Sequence, residues 1–155
     1  MKTDDTAKNM IEIKLMDIED FNIIKEVLQS EFDEFWTPGV LKSELESNLS
    51  KYIVAKENEK ILGFAGIIIL PDDVEITNIV TKKSERKKGI VKLLLDKLIE
   101  MAIETGKDNI SLEVNEKNYA AISLYKKAGF EDVGRRKKYY NGMDDAIIMT
   151  KKFTM

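Results

Sequence analysis

The hydrophobic period of the chain changes repeatedly between two residues and about 3.6 residues, and these changes predict a series of strands and helices. A first strand is predicted where Ile11, Ile13 and Leu15 alternate with polar neighbours, after nine residues that we expect to form a flexible tail. Asp17 is a candidate N-cap, and the helix after it would bury Phe21, Ile24, Val27 and Leu28. The Thr37-Pro38 pair predicts the start of a second helix, with a buried stripe of Val40, Leu41, Leu45 and Leu49.

The middle of the chain predicts consecutive strands followed by a long helix. Two runs rich in β-branched residues, 52–56 and 61–70, flank a hairpin turn at residues 57–60. After a turn at residues 71–73, Val74–Thr81 predicts the next strand. A helix is then expected from about Gly89 to Thr105, with Gly106 as its stop.

The last third predicts strand, helix and hairpin. Residues 109–114 alternate, with Ile110, Leu112 and Val114 on one face and Ser111 and Glu113 on the other. A helix over residues 118–128 ends at Gly129, and strands at 130–140 and 146–153 form a hairpin that turns at residues 141–142.

The predicted order is therefore βααβββαβαββ, an α/β or α+β fold in which helices flank a mixed central sheet. The strand, helix, strand crossover in its middle makes Val74–Thr81 and residues 109–114 a parallel pair. Neither a repeat nor a linker interrupts the pattern, so we expect residues 10–155 to form a single domain.

Composition limits the chemistry that the domain can perform. The 155 residues carry a net charge of -3, which argues against a general binder of nucleic acids. The sequence has no cysteine and no histidine, which removes thiol nucleophiles and the most common general base and transition-metal ligand. Proton transfer must use carboxylates, tyrosines, lysines or water, and we expect no metal.

Two features predict a cytoplasmic protein that does not bind membranes. The amino-terminal stretch MKTDDTAKNM is polar and lacks the apolar region of a signal peptide. In addition, the sequence has no apolar run near the roughly 18 residues that a membrane-spanning helix needs.

The most basic segment, KKSERKK at residues 82–88, lies between a predicted strand and the helix that follows Gly89. A glycine-containing loop that leads into a helix amino-terminus offers free N–H groups and the positive end of the helix dipole, which together bind phosphate. A solvated surface turn and a nucleic-acid patch are the alternatives. The spacing does not match the G-x-x-x-x-G-K-[ST] loop of nucleotidases.

Three stretches resemble the GNAT family of N-acetyltransferases. Arg86-Lys87-Lys88-Gly89-Ile90-Val91 resembles the family's [QR]-x-x-G-x-[GA] loop, with Val91 in place of its last small residue. Residues 112–130, LEVNEKNYAAISLYKKAGF, resemble the two blocks that come next in the family. Residues 135–151, RRKKYYNGMDDAIIMTK, resemble the carboxy-terminal hairpin of its RimI-type members, which acetylate the amino-terminal alanine of a ribosomal protein.

The resemblance implies that acetyl-coenzyme A is the acetyl donor. Backbone atoms of Ile79, Val80 and Thr81 would pair with its pantetheine arm, and the loop of Arg86, Lys87, Lys88, Gly89, Ile90 and Val91 would hold its pyrophosphate. Asn118 would contact the cofactor as well. The alternative for Asn118 is a helix N-cap, and Val91 could instead face the core beside Leu95 and Leu98.

The resemblance also implies that Glu113 is the general base and Tyr125 the general acid. Glu75 on the preceding strand is a competing base. Each also has a structural alternative, because Glu113 could be a solvated strand residue and Tyr125 a half-buried core residue. Without cysteine or histidine, direct attack by the amine in a ternary complex is favoured over an acyl-enzyme.

Two aromatic pairs, Phe35–Trp36 and Tyr139–Tyr140, are the candidate walls of the acceptor groove. The RimI-like resemblance implies that this groove binds a protein amino-terminus, for example that of a ribosomal protein. A small amine, such as a polyamine or an antibiotic, is the alternative acceptor, and a module that binds coenzyme A or a protein without turnover is the alternative to an enzyme.

Overall fold

The computed structural model describes residues 11–32, 38–86, 88–140 and 142–153. It confirms the predicted order of strands and helices: β1 Ile11–Leu15, α1 Ile18–Glu31, α2 Pro38–Glu46, β2 Ser50–Glu57, β3 Lys60–Ile69, β4 Val74–Thr81, α3 Ile90–Glu104, β5 Asn109–Asn115, α4 Tyr119–Lys127, β6 Glu131–Tyr140 and β7 Asp144–Lys152. A short 3₁₀ helix, Lys83–Glu85, was not predicted. The expected flexible tail and Thr37 lie outside the described residues. None of the described helices has the length and apolar character to cross a membrane.

The strands form one mixed sheet in the order β1-β2-β3-β4-β5-β7-β6. Parallel pairing of β4 with β5 joins Val74 to Ile110 and Glu75 to Ser111, which confirms the predicted crossover. The β5–β7 and β6–β7 pairs are antiparallel. A fold of this kind brings the polar face of β5 beside the last hairpin.

Contacts divide the chain into two compact units. Of the described residues, the first unit comprises those up to Ile68 together with those of Thr77–Leu98, and the second comprises Ile69–Ile76 together with those from Ile99 onward. The expectation of a single domain stays a prediction.

The core of the first unit forms where α1 and α2 bury one face each. Asp17 begins α1 as predicted, because its carboxylate accepts a hydrogen bond from the Asp20 N–H at 2.8 Å and its own N–H donates to the Asp20 carboxylate at 3.1 Å. The residues that this core buries are Phe21, Ile24, Leu28, Phe32, Leu41, Tyr52, Val54, Ile61, Phe64 and Val80.

The predicted buried stripe of α2 is wrong at both ends. Leu41 is fully buried and Leu45 packs against the core, but Val40 and Leu49 are 45% and 53% exposed. Leu41 and Leu45 are four residues apart and share a helix face, whereas Val40 is rotated about 100° away from Leu41. Leu49 follows the end of the helix at Glu46, so the helical period does not apply to it.

Asp20 is a buried carboxylate in the first unit, with a relative exposure of 1%. The Lys14 ammonium donates to it at 2.8 Å and the Lys56 ammonium at 3.1 Å. Burial alone would raise the pKa of Asp20, but the hydrogen bonds from Lys14, the Asp17 backbone and Lys56 lower it below its usual value. The ionised Asp20 carboxylate therefore links α1 to Lys14 on β1 and to Lys56 on β2.

The core of the second unit is built on β5. Its burial alternates as predicted, with Ile110, Leu112 and Val114 buried and the residues between them half-exposed. The other buried apolar residues of this unit are Val74, Met101, Ala102, Phe130, Ala146, Ile147 and Met149. The opposite face of β5 carries the half-exposed polar side chains of Ser111 and Glu113.

Candidate active site

Glu75, Glu113 and Arg136 lie on one face of the sheet within the second unit, and we call this set the carboxylate face. Glu75 pairs with Ser111, which is two residues before Glu113 and so faces the same way. Glu113 and Gly134 both pair with Ile148, and Arg136 follows Gly134 by two residues. Strand alternation therefore brings two carboxylates and a guanidinium together.

Glu113 and Arg136 form a bidentate ion pair. Arg136 donates from Nε to Oε1 of Glu113 at 3.2 Å and from Nη2 to Oε2 at 2.7 Å. The guanidinium also lies 5.1 Å from the ring centroid of Tyr139. The solvated-residue alternative for Glu113 is therefore too simple, because both of its oxygens have a partner. Arg136 was not among the predicted site residues, although it belongs to the RRKKYY stretch that resembles the family.

Glu75 is the second carboxylate of this face. Glu75 remains exposed to solvent, but partial desolvation by the neighbouring strands raises its pKa first, followed by the negative charges of Asp73 and Glu113, while the positive charge of Arg136 opposes the rise. Glu75 and Glu113 are thus close enough to influence each other, and the choice between them as base stays open. In the described part of the chain, no cluster of acidic side chains is arranged to hold a metal ion.

Tyr125 packs its ring 5.8 Å from that of Phe130 in the second unit and is half-buried, as its structural alternative describes, while its role as general acid stays a prediction. Burial, with a contribution from Tyr140, raises the pKa of Tyr125 to about 12. The phenol is therefore neutral at pH 7 and able to donate a hydrogen bond.

Tyr139 and Tyr140 pack edge to face, with ring centroids 5.1 Å apart. The pKa of Tyr140 is raised by burial and then by the charge of Glu113 and by Tyr139. This aromatic pair therefore borders the carboxylate face. The other predicted pair, Phe35–Trp36, lies outside the described residues.

A bulge in β6 determines where this aromatic pair is placed. The β6–β7 register shifts between Arg136 and Tyr140, and Lys138 between them has a backbone φ of +51°. Asp145 on β7 accepts a hydrogen bond from the Lys138 N–H at 2.9 Å and another from the Arg135 guanidinium at 3.2 Å. The bulge is thus held by a side chain of the neighbouring strand.

The predicted phosphate loop lies in the first unit and leads into α3. Gly89 has a φ of +81°, and a Cβ built on it has no described atom within 4 Å. The first turn of α3, which the structure describes completely, contains no acidic side chain. An exposed glycine backbone with open space beside it at a helix amino-terminus fits a phosphate group.

The side chains around this loop differ in exposure. Lys88 is exposed and donates to the buried Glu85 at 3.3 Å. Arg86 is exposed, Ile90 is buried and Val91 is half-buried, so the Val91 side chain is turned partly toward the interior. Lys87 lies outside the described residues.

The remaining predicted cofactor residues lie at the end of β4 and the start of α4. Ile79 is half-buried, and Val80 and Thr81 are buried, so only their backbone atoms suit a pairing role. The Asn118 side chain accepts a hydrogen bond from the Ala121 N–H at 3.2 Å, which confirms that it is the N-cap of α4. Its contact with the cofactor stays a prediction.

Comparisons with known proteins point to one family. The family model described as Acetyltransferase (GNAT) family matches residues 21–130. The ribosomal protein bS18-alanine N-acetyltransferase of Haemophilus influenzae is 35% identical over 84% of this chain and 90% of its own length. The N-alpha-acetyltransferase RimI of Mycobacterium tuberculosis is 33% identical over 70% of this chain and 69% of its own length. The crystal structure of the Escherichia coli ribosomal-protein-S18-alanine N-acetyltransferase superposes with a TM-score of 0.84 at 27% identity, covering 94% of this chain and 96% of that one.

Proposed function

This chain belongs to the GNAT family of N-acetyltransferases, and we propose that it transfers the acetyl group of acetyl-coenzyme A to the amino-terminal α-amine of a protein, such as a ribosomal protein. The observation that carries the proposal is the carboxylate face of the second unit bordered by Tyr139 and Tyr140. The relatives named for ribosomal protein alanine acetylation support it, since one of them matches over 90% of its length. A ribosomal-protein substrate would also imply a cytoplasmic enzyme.

The acceptor must lose a proton before it can attack the acetyl group. An α-amine has a pKa of about 7.7 to 8.0, so roughly a quarter of it is already neutral near pH 7.4. A lysine side chain with a pKa of about 10.4 is only about 0.1% neutral at that pH. Glu113, or Glu75 beside it, would attract the ammonium and accept its proton directly or through one water.

The leaving thiolate of coenzyme A needs a donor, and we assign this role to Tyr125. Because burial raises the pKa of Tyr125 to about 12, the phenol is a weaker acid than a thiol with a pKa of about 8.5. Complete proton transfer would be uphill by roughly 5 kcal/mol, at about 1.4 kcal/mol per pKa unit. Tyr125 would therefore stabilise the departing sulfur by a hydrogen bond, and solvent would complete the protonation.

Acetyl-coenzyme A supplies the activated acetyl group. The backbone amides around Gly89 would hold its pyrophosphate, with Arg86 and Lys88 contributing positive charge. The backbone of Ile79, Val80 and Thr81 would pair with the pantetheine arm, and Asn118 would contact the cofactor. Because the sequence has no cysteine or histidine, the amine would attack directly, without an acyl-enzyme.

A coenzyme A release assay with three kinds of acceptor tests the proposal. The acceptors are a peptide that begins with alanine, the same peptide with its α-amine already acetylated, and a panel of polyamines. We expect thiol release only with the free peptide. Release with the polyamines alone would favour a small-amine acetyltransferase, and cofactor binding without release for any acceptor would favour a non-catalytic module.

A further inference from the structure

The geometry of the carboxylate face points to a role for Arg136. We propose that Arg136 is a positioning residue that holds the Glu113 carboxylate by both oxygens and balances the negative charge around the acceptor amine. This role rests on the proposed function in one respect, because it assumes that the amine is deprotonated at the carboxylate face.

The ion pair between Arg136 and Glu113 is directional. The two hydrogen bonds from Nε and Nη2 of Arg136 use both oxygens of Glu113, at 3.2 and 2.7 Å. A planar guanidinium that binds a carboxylate in this way restricts its orientation as well as its distance, which a lysine cannot do. A glutamate has several rotatable bonds, so Glu113 without this partner would sample orientations that point away from the amine. The pair leaves the outer lone pairs of the carboxylate for a water or an amine.

The fold also holds Arg136 itself. Its guanidinium lies 5.1 Å from the ring centroid of Tyr139, a residue within the β6 bulge. The bulge is held in turn by Asp145, which accepts the Lys138 N–H at 2.9 Å. The ion pair is partly exposed, with side-chain exposures of 57% for Arg136 and 29% for Glu113, so attraction alone would fix it weakly. The β6 bulge and the Tyr139 ring therefore restrict the position of the Arg136 side chain as well.

Arg136 also offsets the negative charge of the carboxylate face. Asp73 precedes β4, Glu75 lies on β4 and Glu113 lies on β5, and the charges of Asp73 and Glu113 both act on Glu75. Arg136 on β6 is the group that opposes them at Glu75, and Tyr140 is affected by the charge of Glu113 as well. Without Arg136, Glu75 would hold its proton more tightly and would be less available as a base near neutral pH. Arg136 therefore acts on both candidate bases.

Three variants of the full chain separate the effect of Arg136 on the orientation of Glu113 from the effect of its positive charge. Arg136→Gln removes both, Arg136→Lys keeps the charge but loses the bidentate geometry, and Lys137→Gln removes a cation from the neighbouring exposed position as a matched control. The measurements are the carbon-13 NMR titration of the Glu75 carboxyl, kcat and KM with the alanine-starting peptide, and KM for acetyl-coenzyme A.

For Arg136→Gln we expect the Glu75 titration and the acidic limb of the rate profile to move to higher pH. We also expect kcat to fall by roughly tenfold to a hundredfold, with KM for acetyl-coenzyme A unchanged. Arg136→Lys should restore the titration but not kcat, and Lys137→Gln should match the wild type in every measurement.

Two results would overturn the inference. One is a Glu75 titration in Arg136→Gln that matches Lys137→Gln, and the other is full recovery of kcat in Arg136→Lys, which would leave charge alone as the role. The NMR titration needs no acceptor. A shifted titration combined with a wild type that acetylates no peptide would therefore support charge balancing by Arg136 and reject the proposed substrate.

Discussion

The substitution Gly89→Ala tests whether the loop before α3 holds the pyrophosphate. At a φ of +81°, an L side chain destabilises the folded state by about 1–2 kcal/mol. Alanine also restricts the unfolded chain more than glycine does, and this effect offsets about 0.4–1 kcal/mol of the loss. A Cβ at this position meets no described atom within 4 Å, so no clash is added. We therefore expect the free energy of unfolding to fall by only about 1 kcal/mol, which corresponds to about 2–4 °C in Tm for a chain of this size.

The effect on coenzyme A should be larger than the effect on stability. The new methyl group would occupy the open space where we propose that the pyrophosphate lies. Loss of one charge-assisted hydrogen bond costs about 1.5–3 kcal/mol, so Kd for coenzyme A should rise at least about tenfold. Isothermal titration calorimetry measures this change directly.

Gly106 provides the matched control. Its φ is +80°, and a Cβ built there also has no described atom within 4 Å. Gly106→Ala should therefore lower Tm by the same amount and leave Kd for coenzyme A unchanged. If Gly89→Ala binds coenzyme A as tightly as Gly106→Ala does, the phosphate loop has been misassigned.

Further substitutions test the reaction and the fold. Glu113→Gln and Tyr125→Phe should each retain coenzyme A affinity and lower kcat by roughly a hundredfold or more; an unchanged kcat in Glu113→Gln would leave Glu75 as the base, and an unchanged kcat in Tyr125→Phe would remove Tyr125 from the reaction. Asp20→Asn removes the buried negative charge that pairs with Lys14 and Lys56, and it should lower the free energy of unfolding by about 3 kcal/mol at pH 7. Because the folded pKa of Asp20 is below its usual 3.8, this stabilisation is complete above that pH and is lost as the pH falls through the lower folded value. In urea unfolding, the difference in the free energy of unfolding between wild type and variant should therefore become smaller below about pH 4. A difference that stays constant with pH would contradict the role of the Asp20 charge.

Local patterns were enough to predict the order of the elements and several local features of the strands and helices. Burial alternates along β5 as the sequence indicates, because strand side chains alternate whatever their neighbours are. The caps at Asp17 and Asn118 also depend only on nearby residues.

The ion pair between Glu113 and Arg136 could not be predicted in this way. It depends on the register across β5, β7 and β6, and β6 carries two register shifts that change which side chains face the carboxylates. The sequence does contain a signal, because a glutamate on the polar face of one strand is followed by an arginine pair in the last hairpin. Choosing between Arg135 and Arg136 requires the three-dimensional register.

One competition experiment decides whether the enzyme acetylates an α-amine or another amine. A peptide that begins with alanine and contains one internal lysine is incubated with the enzyme and acetyl-coenzyme A near pH 7.4, and tandem mass spectrometry locates the acetyl group. We expect acetylation at the amino-terminus alone, at a rate that falls when Glu113 is replaced by glutamine. Acetylation of the lysine side chain, or an unmodified peptide in a reaction that consumes acetyl-coenzyme A with a polyamine, would contradict it.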